Sequence, residues 1–487
     1  MQEVVDALHA TIAELTATIR QQAASMEKMQ GEIAELRRLL FGPHSERVVP
    51  IEKEHQKKKR NKSPSPRSRQ LSDPARKRKK PDDTEAKRVE LPVEDIHHRL
   101  TECPECDSKD LEAIGKPERS DEIAFVPAHF VRRRHHREKK RCNGCGKIHT
   151  APGPAKVIDG GKYGASTYAN IVVSKCADSM PFHRQAKQLE RFSVPINRSV
   201  LCNLFHRAAD LITPIYRRMM TLIAEADHVH AGETPHLVQA PGKCKRGYVW
   251  TFVANAIIAY VFSPSRSGET PRMLLGDTKG TLQVDGYSGY NTVIVPEGRK
   301  RAGCHGHSRR KFFDALPDHP KEARTALDFI LELYEVEYEA ARLEILGTAR
   351  HLALRRARME PVFESYKAWL DEQKESARPS SQLGKAVGYA LNQWKTLTLV
   401  LEDVNVALDN NIAESAMRII AMGRKNFVFF GNNDAGQNLA MLQTLVSTCI
   451  ANGVNPQAYL EDVLIRIEST PASRIDELLP QNWSKAA

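Results

Sequence analysis

The 487-residue sequence is poor in aromatic residues, at 6%, and has no long apolar run. Its longest apolar stretch, Ala254 to Pro264, is interrupted by Asn255 and falls short of the ~20 residues that a membrane-spanning helix needs. The N-terminus lacks a basic segment followed by an apolar one, which argues against secretion. No GxxxxGK[ST] loop occurs, so ATP use is not indicated. We expect a cytoplasmic protein of roughly three domains with no membrane partner.

The nine cysteines are an odd number in a chain without a secretory signal, which favours a reducing compartment over a disulfide framework. Four of them form two CxxC pairs, Cys103 with Cys106 and Cys142 with Cys145, separated by 35 residues. Two residues between thiolates allow both sulfurs to bind one ion at Zn–S distances of ~2.3 Å. We predict a structural zinc site in a zinc ribbon over residues 91–150, with two unrelated pairs of free thiols as the alternative.

Positive charge is concentrated in one segment. The chain has 72 basic and 60 acidic residues, and the stretch from Lys53 to Lys80 alone contains 13 basic and 2 acidic ones. Such a segment favours a polyanionic partner, nucleic acid first of all, although a solvated linker would have the same composition. Residues 42–90 contain few large apolar side chains and are predicted to be a basic disordered linker.

The first 41 residues carry a heptad pattern that predicts a coiled coil and therefore a homodimer or higher oligomer. A single packed helix is the alternative. One series of positions repeats every seven residues, and a second series follows it three residues later with one polar break at Gln22. The first series is Val5, Ile12, Ile19, Met26, Ile33 and Leu40.

The remainder of the chain alternates helical and strand patterns. Residues 151–225 are predicted to be a helical DNA-binding region, with a helix-turn-helix-like segment over Pro181 to Asn203, although this motif is also common in proteins that do not bind DNA. The basic run Arg132–Arg141, read as a strand, would carry cations on both faces. Further strands are predicted at His228–Ala231, Gly247–Asn255, Ile257–Ser263 and Thr281–Asp285. Helices are predicted over about 317–400 and in a C-terminal region over 431–487.

Several short motifs, in order along the chain, resemble the transposases of the insertion-sequence 66 family. Besides the two CxxC pairs they are Leu36–Gly42, Pro181–Gln185, His230–Pro235, Gln283–Asn291, Gly303–Asp314, Leu383–Asn392, Leu408–Glu414, Gly423–Asn426 and Asn452–Pro456. The resemblance implies a multidomain α+β protein with an RNase H-like α/β core of the DDE type over 226–430, interrupted by the helical insertion. Such cores use three carboxylates to hold two Mg²⁺ or Mn²⁺ ions.

The resemblance assigns Asp285 and Glu414 as the second and third acids and His307 as a residue that contacts or positions the site. The first acid is expected where this chain has Gly232, which has no side chain to bind a metal ion. Glu233 is adjacent but points to the other face of a strand. Phosphate contacts are expected from basic residues on several segments. They are Arg132, Arg133, Arg134, Arg309, Arg310, Lys311, Arg424 and Lys425.

The function implied by the resemblance is a DNA transposase that cuts and joins element ends by two-metal phosphodiester hydrolysis and strand transfer. Its partners would be terminal-repeat and target DNA and small accessory proteins of the same element, in a nucleoid-associated cytoplasmic location. Because Gly232 replaces the first acid, activity is expected to be impaired. The alternative is a catalytically inactive DNA-binding protein of the same family that occupies terminal repeats.

Overall fold

A computed structural model describes residues 129–141, 143 and 148–484. The predicted coiled coil (1–41), the basic linker (42–90) and the four cysteines of the CxxC pairs lie outside the described residues. No helix in the described part of the chain is long and apolar enough to cross a membrane.

The two strands of a hairpin flank positions 142 and 145 in the sequence. Strand β1 (Lys139–Arg141) pairs antiparallel with β2 (Ile148–Thr150). The strand predicted over Arg132–Arg141 is therefore wrong for residues 132–138, which have no regular secondary structure. These seven residues are all polar or charged and exposed, so an extended segment here gains nothing from burying one face.

Three helices precede the sheet: α1 (Ala165–Cys176), α2 (Phe182–Arg191) and α3 (Arg198–Glu225). The two helices predicted within Pro181–Asn203 are confirmed as α2 and the start of α3. Asn197 caps α3 by accepting a hydrogen bond from the Val200 amide at 2.9 Å. The second helix is much longer than predicted, because its apolar face continues for 28 residues.

Lys175 of α1 lies among three phenylalanine rings. Its Nζ is 3.8 Å from the ring centroid of Phe427 and 4.5 Å from that of Phe182, with Phe205 further away at 6.0 Å. Burial lowers the pKa of Lys175 to about 8. The charged amino group of Lys175 is thus held in apolar surroundings at neutral pH.

We expect Lys175→Met to stabilise the fold at pH 7 by up to about 3 kcal/mol. With a folded pKa of about 8 and an ordinary value of 10.5, the unfolded chain binds more protons between these values. Stability of the unaltered chain should therefore rise with pH across that window, and the substitution should abolish the rise. Urea unfolding at pH 7, 8, 9 and 10 measures this, with Lys425→Met at an exposed position as control. The same rise in Lys175→Met would contradict the assignment.

Six strands form a mixed sheet. It contains β3 (His228–Ala240), β4 (Lys243–Ala254), β5 (Ile257–Ser263), β6 (Gly280–Gln283), β7 (Arg299–Ala302) and β8 (Phe429–Phe430). The strand order is β5-β4-β3-β6-β7, and β8 pairs with the far end of β3. The first three strands are antiparallel, whereas β6 and β8 run parallel to β3 and β7 runs parallel to β6.

The four strands predicted in this sheet are confirmed in position, and three of them differ in length from the prediction. The strand predicted at Ile257–Ser263 has the observed bounds, whereas β3 continues nine residues beyond Ala231. Strand β7 was not predicted, because three of its four residues are basic. One of them, Arg299, is fully buried and donates to the Ala226 carbonyl at 2.9 Å, so burial here depends on hydrogen bonding.

The remaining regular elements of the described chain are helices. They are α4 (Glu269–Leu275), α5 (His305–Ala315), α6 (Pro320–Arg342), α7 (Ala349–Ser376), α8 (Gln382–Asn392), α9 (Trp394–Leu397), α10 (Asn411–Phe427), α11 (Asn433–Ala451) and α12 (Pro456–Arg466). Short 3₁₀ segments lie at Ser288–Val293, Thr398–Leu401, Ile467–Ser469 and Ala472–Leu478. Helices α5 to α8 share an apolar core that includes Phe312, Tyr366 and Val387. Helix α11 is fixed to β5, because the Tyr260 amide donates to Thr444 Oγ1 at 2.9 Å.

Candidate active site

The three acid positions expected from the sequence lie on neighbouring elements. In the parallel pairing of β3 with β6, His230 is opposite Gln283. Gly232 and Asp285 each lie two residues further along the chain. Glu414 lies in the first turn of α10, and α10 packs against β3. The sheet register and this helix therefore bring the three positions to one place.

Gly232 faces the helix that carries Glu414. A Cβ atom at Gly232 would lie 2.6 Å from Cε and 3.2 Å from Sδ of Met417, and 4.0 Å from Cβ of Ala413. An acid at this position would thus project toward α10, and the terminal methyl of Met417 now fills part of that space. Met417 is a flexible side chain that can move aside.

Glu233 lies on the opposite face of β3 and is already paired. Its carboxylate accepts hydrogen bonds from Arg266 at 2.6 and 2.9 Å and from the Tyr290 hydroxyl at 2.6 Å. Only 3% of the side chain is exposed. Burial raises the pKa of Glu233, with a further contribution from Asp285, while the hydrogen bonds from Tyr290 and Arg266 oppose the rise. Glu233 therefore does not take the place of the missing acid without breaking these contacts.

Asp285 sits in a tight turn beyond β6. Its Oδ1 accepts the Tyr287 amide at 2.9 Å, and its backbone carbonyl accepts a hydrogen bond from Arg301. A Cβ atom at Gly286 would lie only 2.6 Å from the ring of Tyr389, so glycine permits this close approach. The hydrogen bond from the Tyr287 amide orients the Asp285 carboxylate. Arg301 of β7 and Tyr389 of α8 contact the backbone of the turn and hold it in place.

A buried polar network fixes the start of α10. Gln283 Nε2 donates to the carbonyls of Ala407 at 2.5 Å and Asp409 at 3.1 Å, and its Oε1 accepts the Ala407 amide at 3.1 Å. Asn410 donates to the Ala231 carbonyl at 2.7 Å and pairs with His230 Nδ1 at 3.1 Å. These contacts join β3, β6 and the segment before Glu414, so the network positions the third acid.

Glu414 and His307 face each other without a hydrogen bond. Their Oε1 and Nδ1 atoms are 3.6 Å apart, and neither atom has a hydrogen-bond partner in the described part of the chain. Burial raises the pKa of Glu414, Arg310 opposes this, and Asp285 adds to the rise. Burial lowers the pKa of His307. The negative charge of Asp285 favours the protonated form of both groups and so raises the pKa of each.

The eight predicted phosphate contacts fall in different surroundings. Arg132, Arg133 and Arg134 are exposed, as are Arg310 and Lys425. Arg309 and Lys311 are half-buried, and the Nζ of Lys311 lies 4.9 Å from the Tyr389 ring. Arg424 donates to the Pro235 carbonyl at 2.7 Å and thus ties α10 to β3.

Four residues that the sequence did not single out help to build the site: Gln283, Arg301, Tyr389 and Asn410. Three of them occur inside the motifs that were recognised, where their roles cannot be told from spacing alone. Arg301 lies in the unpredicted strand β7 and gave no signal of its own.

The residues present fit a two-metal carboxylate site only in part. Asp285 and Glu414 supply oxygen ligands of the kind that Mg²⁺ and Mn²⁺ prefer. Gly232 supplies none, and Glu233 is paired with Arg266. The described chain thus has one carboxylate too few at this place for the three-acid arrangement.

Comparison with known proteins gives three matches to family profiles. The profile described as "Transposase IS66 family" matches residues 160–438. Those described as "IS66 C-terminal element" and "zinc-finger binding domain of transposase IS66" match residues 444–481 and 101–146. The first match contains the whole sheet and both Asp285 and Glu414.

The chain is also similar to proteins of Sinorhizobium fredii (strain NBRC 101917 / NGR234). It is 30% identical to the uncharacterized protein y4hP over 434 residues, which cover 84% of this chain and 77% of y4hP. It is 33% identical to the uncharacterized protein y4jD over 403 residues, covering 78% of this chain and 77% of y4jD. The names of these relatives describe no activity.

Proposed function

Because the chain belongs to the IS66 family of transposases, we propose that its sheet and surrounding helices are an RNase H-like core of the DDE type. The strand order β5-β4-β3-β6-β7, with three antiparallel strands followed by two parallel ones, supports this proposal. So does the placement of Asp285 after β6 and Glu414 on the helix packed against β3. The helices between β7 and α10 would be the insertion that separates the second and third acids.

The proposed reaction is cutting and joining of element ends, and this chain would perform it poorly. Divalent ions held by three carboxylates would supply activation of the attacking oxygen and stabilisation of the leaving one. Asp285 and Glu414 would hold such ions, and His307 would position Glu414. The glycine at position 232 is the observation that carries the impairment, because one ligand of three is missing.

The remaining parts would hold DNA. The zinc-finger match at 101–146 and the exposed arginines Arg132, Arg133 and Arg134 suit phosphate contacts. We propose terminal repeats and target DNA as the partners, a homodimer through residues 1–41, and participation of small accessory proteins of the element. A nucleoid-associated location would follow from DNA binding.

A second candidate function rests on the same glycine. The chain would be a catalytically inactive DNA-binding protein that occupies terminal repeats and keeps other copies from them. Intact Asp285 and Glu414 favour the transposase, and Gly232 favours the inactive binder.

The test uses the full chain and a labelled duplex of the element's own end, with a scrambled duplex of equal length as control. We expect tighter binding to the end duplex, and nicking in Mn²⁺ no greater than that of Asp285→Asn. Equal affinity for both duplexes would refute recognition of element ends. Nicking by the unaltered chain as fast as that by Gly232→Asp would refute the proposed impairment.

A further inference from the structure

Three side chains that commonly bind metals meet beside the acid pair. Cys304 directly precedes α5, His307 lies in the first turn of α5, and Glu414 lies in the first turn of α10. One ligand atom of each lies within 4.8 Å of the other two. The spacing of three residues puts Cys304 and His307 on one side of the helix start.

Hydrogen bonding within the described chain leaves one atom unsatisfied in two of these three side chains. His307 Nδ1 and Glu414 Oε1 are buried without hydrogen-bond partners, and their separation of 3.6 Å is too long for a hydrogen bond. An unsatisfied buried polar atom costs roughly 1–3 kcal/mol. A cation is the occupant that would satisfy an imidazole nitrogen, a carboxylate oxygen and a sulfur together.

The donor set favours a transition ion over a magnesium ion. Sulfur and nitrogen ligands are typical of Zn²⁺ and Co²⁺, whereas Mg²⁺ prefers oxygen ligands alone. Tetrahedral zinc with bonds of about 2.0–2.3 Å needs ligand atoms roughly 3.5 Å apart, close to the observed separation of Nδ1 and Oε1. The Asn410 amide donates to Cys304 Sγ at 3.3 Å, a contact of the kind that orients a sulfur ligand.

We propose that Cys304, His307 and Glu414 form a binding site for one zinc-type ion, with water in the fourth position. This site is separate from the one predicted at the CxxC pairs. It goes beyond the proposed function, because it needs no DNA cleavage. It shares Glu414 with the acid pair, so an ion bound here would occupy the third acid.

The experiment compares zinc content per chain after saturation with zinc and removal of the excess. The Cys142→Ser/Cys145→Ser variant disables the predicted ribbon site. In that background we expect one bound zinc per chain, and none after addition of Cys304→Ser or His307→Gln. Cys449→Ser, at a buried free cysteine of α11, is the matched control and should leave the zinc content unchanged. Far-ultraviolet circular dichroism verifies that each variant is folded.

Cobalt gives an independent readout. Co²⁺ bound by the unaltered chain should show thiolate absorption that is weaker in Cys304→Ser by the share of one sulfur, while the ribbon contributes equally to both. The proposal is overturned if the Cys142→Ser/Cys145→Ser chain binds no zinc, or if folded Cys304→Ser and His307→Gln retain it. None of these results depends on DNA cleavage, so they are separable from failure of the proposed transposase function.

Discussion

Gly232→Asp is expected to increase Mn²⁺-dependent nicking of an element-end duplex by at least about 100-fold over the unaltered chain. The new carboxylate would project toward α10, the helix that carries Glu414, and would complete the set of three acids. The only close contact is with the terminal atoms of Met417, at 2.6 and 3.2 Å from the added Cβ. Because this side chain is flexible, the backbone of β3 need not move.

The controls separate charge from size. Gly232→Asn has nearly the same shape without the charge and should stay inactive, and Gly232→Asp/Asp285→Asn should return to background. Gly232→Asp/Met417→Ala removes the steric contact and should be at least as active as the single variant. If both aspartate variants are folded and bind the duplex yet do not nick it, restoration by one acid is wrong.

Glu337→Ala is expected to destabilise the helical insertion by about 3–5 kcal/mol. Glu337 of α6 accepts two hydrogen bonds from Arg355 of α7, at 2.7 and 2.9 Å, and one from His351 at 3.1 Å. Arg355 and His351 are each only 2% exposed. Removal of Glu337 would leave a buried guanidinium without its counter-charge. Urea unfolding of the full chain, followed by tryptophan fluorescence, measures the change.

The same two helices contain a matched control. Glu339 accepts one hydrogen bond from Arg358 at 3.1 Å, but 58% of the arginine side chain is exposed. Glu339→Ala should therefore cost less than about 1 kcal/mol. The double variant Glu337→Leu/Arg355→Met should be more stable than Glu337→Ala, because it removes both buried charges. Equal losses for Glu337→Ala and Glu339→Ala would show that the buried pair has no special role.

The elements that could be predicted from sequence are those with a regular apolar pattern. Strand β5 and helices α2 and α3 follow such patterns, since their buried side chains recur at the strand or helix period. Strand β7 could not be predicted, because its burial rests on hydrogen bonds from Arg299 to carbonyls of distant segments. Propensity and periodicity carry no information on such partners.

Asp285 and Glu414 can be identified through the resemblance to the family. The contacts that hold these two residues in place cannot be predicted from the sequence. The contact between His230 and Asn410 joins residues 180 positions apart, so no local pattern reveals it. The pairing of Glu233 with Arg266 and Tyr290 likewise depends on the loops after β5 and β6. The sequence indicated that Glu233 faces away from Gly232, whereas the structure identifies the groups that hold it there.

The order of the strands in the chain has a consequence for synthesis. Strand β3 makes its last pairing, Leu237 with Phe429, with a strand made almost 200 residues later. Chains grow from the N-terminus, and pairings distant in sequence form slowly. While the insertion is being made, β4 already pairs with one edge of β3 at Leu237, but the edge that later pairs with β8 is still open, and Glu414 has not yet been synthesised. Segments before the sheet emerge first, so a nascent chain would gain the parts proposed to hold DNA well before Asp285 and Glu414 come together.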